Sequence, residues 1–195
     1  MRVLVIGAAG ATGQAACAAL GHHDLIRAGR RSGDVQVDMA DDAAVKALLA
    51  RLAPLEAVVS CAGDATFAPL AQQDADAMRL GLAQKVMGQV NLVLAGQHVL
   101  PPCGSFTLTS GILDREPVPC GTGAALANGA LTGFVRSAAI ELRQRINVVS
   151  PAVLEASLPR YGHLFPGHRP VSDAEVGRAY VRAVDGPQTG QVIVV

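Results

Sequence analysis

Glycines 7, 10 and 13 stand in the run Gly7-Ala8-Ala9-Gly10-Ala11-Thr12-Gly13, directly after the apolar, β-branched residues 2–6 (RVLVI). The alanine-rich residues 14–20 (QAACAAL) then read as a helix. A strand, a glycine turn and a helix start together form an anion site. The first-turn N–H groups have no partner within the helix, and the helix dipole adds about half a positive charge there. A side chain on the glycines would hold a diphosphate away from the backbone. This GxxGxxG spacing predicts dinucleotide binding, with Gly7, Ala9, Gly10, Ala11, Thr12 and Gly13 around the pyrophosphate. The competing reading is a glycine-rich turn with no ligand.

A second group lies just past the strand expected over 25–28, in Gly29-Arg30-Arg31-Ser32. In a dinucleotide fold this position meets the adenosine ribose: an acid there bonds the 2′-hydroxyl of NAD, and a cation accepts the 2′-phosphate of NADP. Arginine's planar fork suits a phosphate, so Arg30, Arg31 and Ser32 predict NADP(H) in preference to NAD(H). A solvated basic turn is the alternative. Asp38, after a strand expected over 35–37, is placed either to accept from the adenine amine or to start the following helix. Small residues at Cys61-Ala62-Gly63, after a strand over 57–59, let the backbone run beneath a cofactor. The strand over 106–111 carries Thr109 and Ser110 at its carboxyl end, the edge where ligands of open α/β sheets lie.

The elements that must position these groups alternate. Apolar spacing predicts helices over 41–52, over 74–98 (one or two), over 121–142 and over 172–184. Strands over 146–149 and 191–195 bring the count to seven, and 158–170 reads as a loop rich in Pro, Gly and His. Strands alternating with helices predict an α/β fold: one doubly wound, Rossmann-type domain spanning residues 1–195, with a seven-stranded parallel sheet and helices on both faces. Gly129 and Gly133 cost helix stability and suggest that another helix approaches closely.

With 195 residues, 50% of them apolar, 16% charged and a formal net charge of zero, the chain is one domain without the basic face that nucleic acid requires. No apolar run reaches the 18 to 20 or so residues of a membrane span. The apolar N-terminus is not read as a signal peptide, since its glycines sit where a nucleotide turn needs them. Cys17, Cys61, Cys103 and Cys120 form no CxxC pair and are expected as reduced core cysteines of a cytoplasmic protein, with no metal site.

Several stretches together resemble the short-chain dehydrogenase/reductase family along nearly the whole chain: GAAGATG, CAG at 61–63, TLTSGI at 107–112, ANGALTGFVRSAAIEL from Ala127, RINVVSP at 145–151 and the terminal TGQVIVV. The resemblance implies NAD(P) binding and hydride transfer between the nicotinamide and a carbonyl or alcohol. It also implies a serine that positions the substrate oxygen, a tyrosine that supplies the proton, a lysine four residues on and an asparagine in the preceding long helix. The serine matches at Ser110. The tyrosine position falls on Ala124, the lysine position on Asn128 and the asparagine position on Lys85, with the family glycine matching at Gly88. Tyr161 and Tyr180 are the only tyrosines and Lys46 and Lys85 the only lysines, so no YxxxK exists in the sequence.

Ser110, Lys85 and Asn128 are therefore the catalytic candidates that the resemblance leaves. Lys85 is the titratable one, able to act as an acid beside a cofactor or to help hold it. Tyr161, His163 and His168 lie in the loop that covers the substrate in this family. Pro151, Val153 and Leu154 are expected beside the nicotinamide, although the family's glycine and threonine in this region are replaced by Ala152 and by Ala156 or Ser157. Two functions follow: an atypical NADP-dependent oxidoreductase of a small or apolar carbonyl, or a catalytically inactive NADP-binding sensor or interaction protein. Pairing of the 121–142 helix with a second copy would make a homodimer or homotetramer.

Overall fold

The computed structural model describes residues 1–63 and 65–195. Its centre is β1 (Arg2–Ile6), in which Val3, Leu4 and Val5 are fully buried. A continuous β-branched and leucine run suits such a strand, because both of its faces are covered. Around it lie β2 (Asp24–Gly29), β3 (Val35–Gln36), β4 (Ala57–Ser60), β5 (Ser105–Thr109), β6 (Arg145–Ser150) and β7 (Val192–Val194). All pairings are parallel, in the order β3-β2-β1-β4-β5-β6-β7. The chain thus adds strands on one side of β1 and then crosses to the other. That switch leaves a crevice beyond the carboxyl ends of β1 and β4.

Side chains alternate across the sheet with the period of two that strands impose. Leu4, Ile6, Val58, Phe106, Leu108, Ile146 and Val148 pack on one face with α2 (Asp42–Leu52), α4 (Gly88–Gly96) and α5 (Thr122–Ala138). Val3, Val5, Val59, Val149 and Ile193 pack on the other with α1 (Ala11–Ala19) and α7 (Asp173–Asp185). No helix among the described residues is long and apolar enough to cross a membrane.

Residues 74–98 form one helical path in three pieces: α3 (Ala75–Gly81), a π-helical stretch Leu82–Met87, and α4. Such wide turns are rare and often lie at functional sites. The fully buried Gln89 bridges this path to β5, donating to the carbonyls of Lys85 and Thr109 and accepting from the Thr109 N–H.

Three expectations are corrected. The 121–142 helix ends at Ala138, where overlapping turns redirect the chain so that Arg145 can pair with Ser105. Within the described chain nothing lies within 4 Å of a Cβ built on Gly129 or Gly133, which leaves their expected close approach to a helix of a second copy. The 158–170 loop contains the short helix α6 (Leu158–Tyr161) and buries Phe165. Of the four free cysteines Cys17 is buried in the core and Cys61 is half-buried against it; Cys103 is exposed, in the turn that Gly104 closes by donating to Pro101.

Candidate active site

The crevice begins where β1 ends. Gly7 has φ +79°, and a Cβ there would meet Ala62 Cβ at 2.8 Å. A Cβ on Gly13 would sit 2.1 Å from the Gly7 carbonyl oxygen. These two glycines let α1 pack against the turn and against the end of β4. Gly10 is different: a Cβ there would meet only Gly7 O at 3.5 Å, and the residue is exposed. It is the N-cap of α1, whose hydrogen-bond ladder begins with Gln14 N–H to Gly10 O at 2.8 Å. The amides of Ala11, Thr12 and Gly13 precede that ladder, at the positive end of the helix.

The crevice encloses about 400 Å³ and is lined by Gly7, Ala9, Gly10, Arg30, Arg31, Ser32, Asp38, Cys61, Ala62 and Gly63 among others. Ten of the residues expected around a dinucleotide are thus brought together. Ala11, Thr12 and Gly13 do not line it with side chains; what they contribute is the start of α1. Val37, Met39 and Gln84 also line the crevice and were not expected. Their only sequence signal was as chain neighbours, Val37 and Met39 of Asp38 and Gln84 of Lys85. Asp38 does not start a helix: it accepts from Ala40 N–H at 3.0 Å, while Asp41 caps α2 by accepting from Ala44 N–H at 3.0 Å.

Thr109 is a correction. Its hydroxyl donates to the Ser60 carbonyl and lies 2.6 Å from the Tyr180 hydroxyl. With its one proton committed to Ser60, Thr109 accepts from Tyr180. It lines neither cavity described here, because the fully buried tyrosine of α7 occupies it. Cys61 stands beside this pair, and burial pushes its thiol up to about 12. Burial raises the Tyr180 phenol as well. Both groups are therefore neutral near pH 7, and Tyr180 lines neither cavity.

A second cavity of about 230 Å³ shares Gly63 with the crevice. Lys85, Ser110, Ala124, Asn128, Pro151, Val153, Leu154 and Tyr161 lie in its wall, with Phe67, Ile112, Leu113 and Phe165. Lys85 Nζ donates to Asn128 Oδ1 at 2.7 Å and to the Ser110 carbonyl at 3.0 Å. Its stem passes so close to Gly63 (φ +135°) that a Cβ there would lie 2.7 Å from Lys85 Cγ. The Ser110 hydroxyl is buried without a hydrogen-bond partner among the described residues. A buried hydroxyl normally finds a partner, so one left open in a cavity wall is available to a ligand oxygen.

Of the three loop residues considered, Tyr161 alone reaches this cavity, its ring 5.2 Å from that of Phe67. His163 is exposed beside a neighbouring hollow. His168 packs edge-on to Phe165, with Nε2 3.5 Å from Glu116 Oε2.

The family model described as Enoyl-(Acyl carrier protein) reductase matches residues 3–181. The chain belongs to the short-chain dehydrogenase/reductase family. No curated protein matches it. The solved structure of the protein lin1944 from Listeria innocua is 43% identical over 100% of this chain and 99% of that one, with a TM-score of 0.97. At lower identity, and so as evidence of fold alone, stand two further family structures. A small-chain dehydrogenase in complex with NADPH is 23% identical, with coverage of 100% and 96% and a TM-score of 0.87. A 3-oxoacyl (acyl-carrier-protein) reductase from Agrobacterium tumefaciens C58 with NADP bound is 18% identical, with coverage of 100% and 92% and a TM-score of 0.84. Within the family frame, Ala124 and Asn128 occupy the face of α5 that looks onto Ser110, and Lys85 reaches that face from the neighbouring helix.

Proposed function

We propose that the chain is an NADP(H)-dependent oxidoreductase of a small carbonyl or alcohol, with Lys85 supplying the proton that a tyrosine supplies in most of the family. The observation that carries this is the meeting of Lys85 Nζ with Asn128 Oδ1, in the wall of a cavity that also holds the unpartnered Ser110 hydroxyl. The residues fit the cofactor. Gly10 leaves the start of α1 open to a diphosphate, and Arg30 and Arg31 stand at the far end of the crevice for a 2′-phosphate. The relatives whose structures carry NADPH or NADP support the same assignment.

When bound, the nicotinamide supplies hydride to the carbonyl carbon. The Ser110 hydroxyl donates to the carbonyl oxygen and orients it. The oxygen gains negative charge as the carbon is reduced, and the Lys85 ammonium neutralises it by giving up one proton, which solvent later restores. Asn128 accepts from that ammonium and so aims it. A positioned acid is worth about 10²- to 10⁴-fold in rate. The cavity walls of Phe67, Ile112, Leu113, Val153, Leu154 and Phe165 suit an apolar substrate body.

The test is NADPH oxidation against a panel of aldehydes, ketones and quinones, read beside fluorescence titration of NADPH. Turnover with any carbonyl supports the enzyme. Tight NADPH binding without turnover favours the inactive sensor, and no binding removes both readings. We also propose that α5 pairs with a second copy of the chain.

A further inference from the structure

At the other end of the sheet, away from the crevice, two adjacent histidines converge on one carboxylate. His22 Nε2 lies 3.0 Å from Asp185 Oδ2, and His23 Nε2 lies 2.8 Å from Asp185 Oδ1. The rings are 4.0 Å apart, and all three donor groups fall within 4.8 Å of one another. Neighbouring side chains usually diverge; here a turn after α1, closed by His23 N–H to Leu20 O at 2.9 Å, aims both at the same group. His23 is held rigidly, with 9% of its side chain exposed, whereas His22 is 53% exposed and leaves the cluster open to solvent.

We propose that His22, His23 and Asp185 form a binding site for a zinc-class divalent transition ion. Two imidazoles and a carboxylate are the donors such ions take, with the fourth tetrahedral position left to water. Bonds of about 2.0–2.1 Å at tetrahedral angles put donors roughly 3.3 Å apart. Each histidine's separation from its own carboxylate oxygen, 3.0 and 2.8 Å, would open by a few tenths of an ångström, and all the donor atoms already lie within 4.8 Å of one another. The histidines lie just past the carboxyl end of α1, whose dipole favours a cation, and Asp185 is the last residue of α7. Arg145 already occupies the carbonyls of Ala183, Val184 and Gly186, which leaves the three side chains as the ligands. The ion would tie the α1–β2 turn to the end of α7, across 162 residues of sequence, and so favour the native state.

The full-length Cys103→Ser protein, which lacks the exposed thiol, is stripped with a chelator and titrated with zinc chloride. We expect one zinc per chain by elemental analysis after dialysis and a higher Tm with zinc. His22→Ala and Asp185→Asn should each weaken binding at least about tenfold, and His22→Cys, which keeps a ligand, should restore it. His22 is exposed, so its variants fold. Absence of retained zinc, or unchanged affinity in His22→Ala, overturns the site. NADPH binding, measured in parallel, does not depend on it.

Discussion

Lys85 and Asn128 meet at 2.7 Å across the gap between the π-helical stretch and α5, and each occupies the position that the family resemblance gives to the other's residue type. The exchange keeps one cation and one amide at the site but brings the cation in from a different helix. Gly63, which a Cβ would drive into the Lys85 stem, and Gln89, which bonds the Lys85 carbonyl, both adapt the surroundings to that route.

The reciprocal exchange Lys85→Asn with Asn128→Lys tests whether the pair acts as a unit. Asn128→Lys alone forces two ammonium groups together at a buried position and should lower stability by about 1–3 kcal/mol. The double variant should recover most of that loss in a denaturant-melt cycle. Additive losses would show that the two side chains are independent.

Lys85→Gln should lower kcat by about 10²- to 10⁴-fold while leaving NADPH affinity within about threefold, since a neutral amide cannot give the proton. Single-turnover NADPH oxidation checks this, with titration on the same sample. A kcat within a few-fold of the parent assigns the proton to another group.

The opening turn offers a contrast between two glycines. Gly13→Ala places a Cβ 2.1 Å from the Gly7 carbonyl, and backbone cannot step aside cheaply, so a loss of about 3 kcal/mol is expected. Gly10→Ala meets nothing closer than 3.5 Å and should cost less than about 1 kcal/mol as an N-cap change, yet weaken NADPH binding by an order of magnitude or more. Melts and titrations of the two variants should separate in this way. Equal Tm values would contradict the packing argument.

The sheet and the crevice were legible because their signals are local. β-branched runs closed by glycine turns mark β1 and β4, and GAAGATG carries its own geometry. Contacts between distant segments were not legible. Lys85 bonds partners 25 and 43 residues away, and no local pattern announces the wide turn that aims it. Thr109 read as available at a strand end, but a tyrosine 71 residues later takes its hydroxyl. The expectation of no metal site came from the cysteines, whereas the candidate cluster joins two histidines to an aspartate at the far end of the chain.

Arg30 and Arg31 should govern cofactor choice. A charge-assisted hydrogen bond to phosphate is worth about 1.5–3 kcal/mol, so replacing both with alanine should weaken NADPH binding by about 10- to 100-fold. NADH, which has no 2′-phosphate, should bind within about threefold of the parent value. Equal losses for the two cofactors would place the arginines outside 2′-phosphate recognition.

The start of α7 gives a pH dependence of known sign. Ser172 N–H and hydroxyl both donate to Glu175, and these bonds hold its carboxyl below the ordinary 4.5. A depressed pKa means that the contribution is complete above pH 4.5 and is lost as pH falls through the lower folded value. Melts of the parent and Glu175→Gln should therefore differ by a constant amount near neutrality and converge in acid. Ser172→Ala, which removes the cap, should lower Tm by about 2–4 °C at neutral pH.

The assembly prediction rests on an open helix face. Leu126 is 47% exposed on α5, and nothing in the described chain approaches Gly129 or Gly133, which follow it three and seven residues later. Residues so spaced share one face of a helix, and small residues there let a second helix come close. Ala124 and Asn128, which line the cavity, are buried on the other side of the same helix, so pairing would leave that wall intact. Light scattering should return at least twice the 20.0 kDa chain mass. Leu126→Arg should then shift the protein to the monomer, since two copies would bring the guanidinium charges together on a symmetric axis. A parent protein that scatters as a monomer at tens of micromolar would leave this face to solvent and withdraw the pairing.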